Sequence, residues 1–519
     1  MLRLIGFTLS ILAGWGLHSA AAAGKARHVV VVVWDGLRPD SVSAEHTPTL
    51  WQLAQSGVMF ANHHAVYCSA TDVNSAALAT GMYPEHSGVI ANKEYRPEID
   101  LLHPIIISDT AALRQGDKLT GGKYLARATV VEILQATGRR TVVAGAKDAV
   151  LLQDRIERGA TALGVNLFAG ESLPPTAAQE ARVQLGEFPQ DADLKSALPN
   201  TPRDEWTRRA LVERLWSNGV PDFTLLWLSE PDFSQHAAGP GSSKALAALA
   251  SSDQQLAAVL AELERRKVRD QTDVFVVSDH GFSTVETALD MSVILRQAGF
   301  RASRVFKEPP QKGDVLVAGQ GGTVLLYVIG RDSAVTEKLV DYLQRQDFTG
   351  VLLTRNGLKG TFELADAKIN SPHLPDVVVS LRWTEKKNAN GMPGLFVSDG
   401  SRQTGQGNHA SLSRYDLHNT LVAAGPDLKA HFEDRFPTGN VDIAPTVLWL
   451  LGVRAPMEMD GRVLSEALTV SAPKVGKPAT KRLETSRKLE DSVWRQYLQI
   501  SRVNDTIYLD EGNGRQFPE

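Results

Sequence analysis

The chain is 519 residues long, 43% apolar and 22% charged, with 55 Lys and Arg against 59 Asp and Glu for a formal net charge of −4. This is an ordinary globular composition with enough apolar residues for a large core, and it carries no charge signal for nucleic acid or an anionic membrane as partner. The single cysteine, Cys68, excludes an internal disulfide, so stability must come from the core and from any bound metal.

In chain order, Met1-Leu2-Arg3 is a short basic start, Leu4 to Leu17 a mostly apolar stretch of 14 residues, and Ser19 to Ala23 a run of small residues. Residues 1–23 therefore read as a signal peptide cleaved near Ala22 or Ala23. The apolar stretch contains Gly6, Gly14 and Gly16 and is short of the roughly 20 residues a membrane span needs. A periplasmic or secreted enzyme with no stable membrane span after cleavage is expected.

Strand-type runs follow at Val29 to Trp34, Thr141 to Ala144, Phe223 to Leu228 and Val274 to Val277, with helical patterns from Pro48 to Ala54, Val130 to Ala136 and Ala245 to Leu263 between them. That alternation predicts an α/β protein with a mainly parallel sheet flanked by helices. Between residues 288 and 354 the rhythm changes: helix at Met291 to Ala298, strand at Thr323 to Ile329, helix at Ala334 to Arg345, strand at Val351 to Thr354. A small inserted α+β subdomain is expected there, splitting the core into residues 24–287 and 355–470. Core-type runs resume at Asp376 to Leu381 and Leu395 to Val397, and Val447 to Leu451 predicts a short closing helix. Ser471 to Lys488, with its Lys, Pro and Thr, reads as exposed linker, making residues 471–519 a linker and C-terminal arm.

Three of the strand runs end in acidic motifs: Asp35-Gly36; Ser229-Glu230-Pro231-Asp232 with His236; and Ser278-Asp279-His280-Gly281. Ligand sites of open α/β sheets lie just beyond the carboxyl ends of the strands, where these residues fall. Each has a plainer reading alone, as a turn Asp, a capping Asp with a surface His, or a buried Asp–His pair. Asp232 and His236, four apart, share one face if the loop makes a helical turn. With His409 they make three carboxylates and three imidazoles, enough for two ions with an open position at each. Such mixed ligation suits two Zn2+, with other divalent ions less favoured. Two ions about 4 Å apart suit in-line displacement at phosphorus.

The segment Cys68-Ser69-Ala70-Thr71-Asp72-Val73-Asn74, running on to Thr80-Gly81, Pro84 and His86-Ser87-Gly88, resembles the nucleophile segment of the alkaline phosphatase superfamily. It is closest to the type I phosphodiesterase/nucleotide pyrophosphatase branch. The resemblance, which runs from Asp35 to His409, implies an alkaline-phosphatase-like core and a phosphodiesterase or pyrophosphatase acting on small phosphoester or nucleotide substrates. It implies Thr71 as nucleophile through a covalent phosphoenzyme. One zinc would be held by Asp35, Asp279 and His280 with Thr71, the other by Asp232, His236 and His409, and Asn74 would donate to a phosphoryl oxygen. A phosphomonoesterase or phosphonate hydrolase is the alternative within the same superfamily.

Anchoring on Thr80-Gly81 places Thr71, not Cys68 or Ser69, at the position where sulfatases carry formylglycine, and Val73 and Ser75 lack that signature's Pro and Arg. Cys68 reads as a buried small residue. Asp72 and Val73 stand where the branch carries an aromatic and a Pro, and a carboxylate beside the nucleophile favours diesters over more anionic monoesters. Arg38 and Lys147, each after a strand end, are the cations placed to approach the site.

Overall fold

Six apolar residues, Val29 to Trp34, are each at most 1% exposed, and their side chains alternate between two separate cores. In the computed structural model, which describes residues 24–155, 163–190 and 200–518, they form the centre of a nine-stranded sheet. The segment read as a signal peptide lies outside the described residues. The strands are β1 (His28–Trp34), β2 (Val58–Phe60), β3 (Thr141–Gly145), β4 (Gly164–Phe168), β5 (Glu171–Leu173), β6 (Phe223–Leu228), β7 (Thr272–Val277), β8 (Leu421–Ala424) and β9 (Phe432–Asp434). Their order is β9-β2-β8-β7-β1-β6-β3-β4-β5. The run β7-β1-β6-β3-β4 is parallel throughout.

Parallel strands covered on both faces need apolar residues at every position. The covering helices are α1 (Pro48–Ser56), α2 (Thr71–Thr80), α3 (Val130–Ala136), α4 (Asp232–Ala238) and α5 (Ser243–Arg265). Val29, Val31 and Val33 pack with Val73 and Ala77 of α2 and Val131 and Leu134 of α3. Val30, Val32 and Trp34 pack with Leu50 and Leu53 of α1 and Leu249, Leu256 and Leu263 of α5. The α/β architecture read from the sequence is the one observed. Because β1, β3, β6 and β7 run the same way, the residues after them gather along one edge.

The six-stranded second sheet differs in extent from the expected insertion. Its order is Ala302–Ser303, Val315–Gly319, Thr323–Val328, Val377–Leu381, Thr349–Thr354, Phe362–Glu363. Val377–Leu381, which its apolar pattern assigns to the returning core, thus lies in its middle. A continuous apolar run announces a strand buried on both faces and says nothing about which sheet receives it.

The C-terminal arm also differs. Ala479–Lys488, Ser492–Val503 and Thr506–Pro518 form a three-stranded antiparallel sheet. The first strand is an outer strand with mostly exposed side chains, so its Lys and Thr content imitates a linker; charge on an edge strand opposes further pairing. Trp494, fully buried, packs with Leu352, Val377 and Leu381 of the second sheet, and its Nε1 donates to Gly360 O at 3.1 Å. Trp494→Ala is expected to destabilise the protein by about 3–5 kcal/mol. Denaturant unfolding measures this, and a loss below about 1 kcal/mol would make the arm the loose appendage its composition suggests. Among the described residues no helix is long and apolar enough to cross a membrane.

Candidate metal centre

Asp35 leaves β1 and is followed by Gly36 at φ +73°, where an added Cβ would also meet the Phe282 ring at 3.0 Å. Glycine is the residue that makes this turn without strain. Across the sheet, Asp279 Oδ1 accepts the N–H groups of Gly36 and His280, both at 3.0 Å, which locks the β1 and β7 ends together. His280 Nε2 then lies 3.3 Å from Asp279 Oδ2, 3.6 Å from Asp35 Oδ1 and 3.3 Å from Thr71 Oγ1. Gly281 serves close approach: a Cβ there would sit 2.0 Å from Tyr415 O.

Beside this group stands another. Asp232 opens α4 and His236 comes one turn later, so the helical turn needed to bring them to one face is present. His236 Nε2 is 3.3 Å from Asp232 Oδ1, and His409 Nε2 is 3.6 Å from the same oxygen. The His280 and His409 rings stack with centroids 3.7 Å apart, so the two groups adjoin.

The hydrogen bonds decide what these atoms face. Nδ1 of His236, His280 and His409 lies 3.0, 2.9 and 3.0 Å from the carbonyl oxygens of Gly407, Gly281 and Ser69. A carbonyl only accepts, so each Nδ1 carries the proton and each Nε2 presents its lone pair inward, the arrangement that orients metal-binding imidazoles. Facing them, Asp35 Oδ1, Asp232 Oδ1 and Asp279 Oδ2 are buried without a hydrogen-bond partner among the described residues. Lone pairs converging on unpartnered carboxylate oxygens repel unless a cation lies between them. The donors fall into the sets Asp35, Asp279, His280 and Asp232, His236, His409. Donors sharing a tetrahedral zinc at about 2.0–2.2 Å stand roughly 3.3 Å apart, as these do.

Lys147, after β3, joins the two sets. Its Nζ donates to Asp35 Oδ2 at 2.7 Å and Asp232 Oδ2 at 2.8 Å, and Trp227 Nε1 also donates to Asp35 Oδ2 at 2.9 Å. Burial pushes the Asp35 carboxyl well above its usual range, with Asp279 adding to it, and burial pushes Asp279 up to about 7. Burial acts the same way on Asp232, yet Lys147 and His236 hold it well below the usual value. Burial opposes the Lys147 charge, but Asp232 and Asp35 outweigh it and raise its pKa. Three buried carboxylates against one ammonium leave an excess of negative charge that divalent cations would neutralise.

Thr71 is the first residue of α2, and Ala70 occupies the cap position, so the hydroxyl is not engaged in capping. Asn74 does not point into the site. Its Nδ2 donates to Val66 O and Ala70 O at 3.1 and 3.0 Å, and its Oδ1 accepts from Val66 N and Asn440 Nδ2. These four bonds turn its amide toward the backbone and Asn440 although, three residues on, it lies on the same side of α2 as Thr71. Sequence reasoning missed Asn92, whose Oδ1 accepts the Asp72 N–H at 2.8 Å, which anchors its amide next to Thr71. Its only signal is a polar residue closing the apolar run Val89 to Ala91. Arg38 is turned to structural work, donating to Phe282 O and Pro393 O. Cys68 is 1% exposed, and burial pushes its thiol up to about 12.

A family described as Type I phosphodiesterase / nucleotide pyrophosphatase matches residues 29–399, ending ten residues before His409, whose placement rests on geometry. Among curated relatives, a venom phosphodiesterase of Macrovipera lebetinus is 22% identical over 257 residues, 49% of this chain and 24% of the relative. Human ectonucleotide pyrophosphatase/phosphodiesterase family member 1 is 23% identical over 234 residues, 45% of this chain and 21% of the relative. The matched region thus spans less than a quarter of either relative. The solved structure of an inactive variant of murine ectonucleotide pyrophosphatase/phosphodiesterase 5, in complex with AMP, aligns with a TM-score of 0.60 at 16% identity. That alignment covers 85% of this chain and 100% of the other, a likeness of fold. With the family match extending over well more than half its length, the chain belongs to the type I phosphodiesterase/nucleotide pyrophosphatase family.

Proposed function

We propose that the protein is an exported hydrolase of small phosphoesters or nucleotide anhydrides that works through a covalent phospho-threonine at Thr71. Two zinc ions would be held by Asp35, Asp279 and His280 with Thr71, and by Asp232, His236 and His409. The observation that carries this reading is the set of three unpartnered carboxylate oxygens facing three imidazole lone pairs beside the threonine hydroxyl. Bound there, the ions would lower the hydroxyl pKa and neutralise charge at phosphorus.

The chain's own groups do the rest. Thr71 Oγ1 forms the bond to phosphorus as the bond to the leaving oxygen breaks, and water then cleaves the Oγ1–P bond and restores the hydroxyl. The Asn92 amide, rather than Asn74, supplies a donor to a non-bridging oxygen. Export rests on the pattern of residues 1–23. Aryl phosphodiester, monoester, phosphonate and sulfate assayed side by side test the reaction class, and sulfate as best substrate would overturn it.

Lys147 favours a second reading, phosphomonoester hydrolysis. A cation spanning Asp35 and Asp232 is placed to meet the extra charge of a terminal phosphoryl group. Asp72 opposes this less than its position suggests, because burial pushes its carboxyl up to about 7 even though Ser108 N–H donates to it and favours the charged form. Charge-assisted hydrogen bonds are worth about 1.5–3 kcal/mol, so Lys147→Met is expected to lower monoester kcat/KM by roughly 10- to 100-fold. Diester hydrolysis should fall less. Equal losses on both substrates would remove the monoester reading.

A further inference from the structure

We infer that the protein has a third metal site, formed by His64, His418 and Asp510, which takes a divalent transition metal of the zinc class and fastens the C-terminal sheet to the core. The three residues come from separate parts of the chain. His64 lies in the short strand His63–His64, His418 follows the helix Arg414–Leu417, and Asp510 belongs to Thr506–Pro518. One donor atom from each lies within 4.8 Å of the others.

His64 shows the same orientation as the imidazoles of the main centre. Its Nδ1 lies 2.8 Å from Thr438 O, so that nitrogen carries the proton, and Nε2 faces Asp510 Oδ1 at 3.0 Å. Nε2 and Oδ1 both present lone pairs, so their 3.0 Å approach needs a proton or a metal cation shared between them. The His64 ring is 1% exposed, with the His418 ring centroid 4.4 Å away. A metal cation shared by Nε2 and Oδ1 satisfies both atoms. Asp510 is itself oriented, because Ser501 Oγ donates to its other oxygen at 2.9 Å. Partners of this kind around each ligand are what a metal site requires beyond its donors.

The site is also reached from a cavity. His418 and Asp510 line a cavity of ≈520 Å³ together with Arg38, Tyr415 and Gln499. Two imidazoles and one carboxylate are a donor set that zinc accepts with water as the fourth ligand. The residue next to His64 reaches the main centre from behind by contacts that do not involve the site's own ligands. His63, adjacent in the chain, lies with Nε2 3.0 Å from Asn440 Oδ1, and Asn440 Nδ2 donates to the backbone oxygen of Asp279 at 2.7 Å.

The test is an anomalous difference map at the zinc edge, from crystals of full-length protein purified with zinc and dialysed free of excess. A peak between His64 Nε2 and the Asp510 carboxylate is expected, separate from those at the Asp35 and Asp232 groups. Peaks at the main centre alone would overturn the inference whatever any variant does. In parallel, His418→Ala should lower bound zinc by one equivalent per chain and lower the Tm, while retaining phosphodiesterase activity. Unchanged stoichiometry in that variant counts against the site. The map reads this site independently of the proposed activity, so the two stand or fall separately.

Discussion

Thr71→Ala is expected to lower kcat/KM for an aryl phosphodiester by about 10⁴-fold or more while both metal groups remain loaded, because removing a covalent nucleophile disables the whole catalytic unit. At 1.36 kcal/mol per tenfold this is a loss of over about 5 kcal/mol of transition-state stabilisation. Fold stability should hardly change. Thr71 stands inside the first turn of α2 without capping it, and its hydroxyl meets His280 Nε2 at 3.3 Å. Of the proposed ligands only Thr71 is changed, and the six Asp and His ligands Asp35, Asp279, His280, Asp232, His236 and His409 are untouched, so metal content measured beside activity separates lost chemistry from lost binding. A variant with activity within tenfold of the parent would end the phospho-threonine mechanism.

Metal removal should have an effect of similar size. Dialysis against a chelator is expected to lower hydrolysis by at least about 10³-fold, since cation stabilisation of the displaced and attacking oxygens is lost together with activation of the hydroxyl. Zinc should restore it. The fold should register the change as well, because a ligand at 100 times its Kd stabilises the native state by about 2.7 kcal/mol per site. Differential scanning calorimetry of chelated and zinc-reloaded protein measures that difference. Active enzyme without bound metal on elemental analysis would overturn the two-ion reading. Lys147 makes the experiment sharper: its bonds to Asp35 Oδ2 and Asp232 Oδ2 hold two carboxylates of the site in place by themselves, so the chelated protein should remain folded and reloadable.

Part of the site is legible in the amino-acid sequence alone. Asp35, Asp232 and Asp279 each come after a continuous apolar run, and in a parallel sheet the residues beyond such runs share one edge. The i, i+4 spacing of Asp232 and His236 needs one helical turn, and α4 supplies it. Asn74 is misleading for a related reason. Its place in the nucleophile motif suggests a functional role, whereas its side chain is taken up by hydrogen bonds to the backbone of Val66 and Ala70, a choice made by tertiary contacts. Asn92 returns to Thr71 through a loop, a closure that no local pattern encodes. The C-terminal arm is hidden because an exposed outer strand has the composition of a linker, and Trp494, fully buried, is the discordant residue within it.

The sequence by itself determined the α/β class and the strand-end position of the acidic motifs. These depend on periodicity and short-range geometry, which a few consecutive residues suffice to express. The tertiary structure alone decided that Lys147 bridges Asp35 and Asp232 and that Val377–Leu381 belongs to the second sheet. Those arrangements depend on strand order and on loop closures between residues far apart in the chain, where the contacts are chosen by packing of the whole and not by any local pattern.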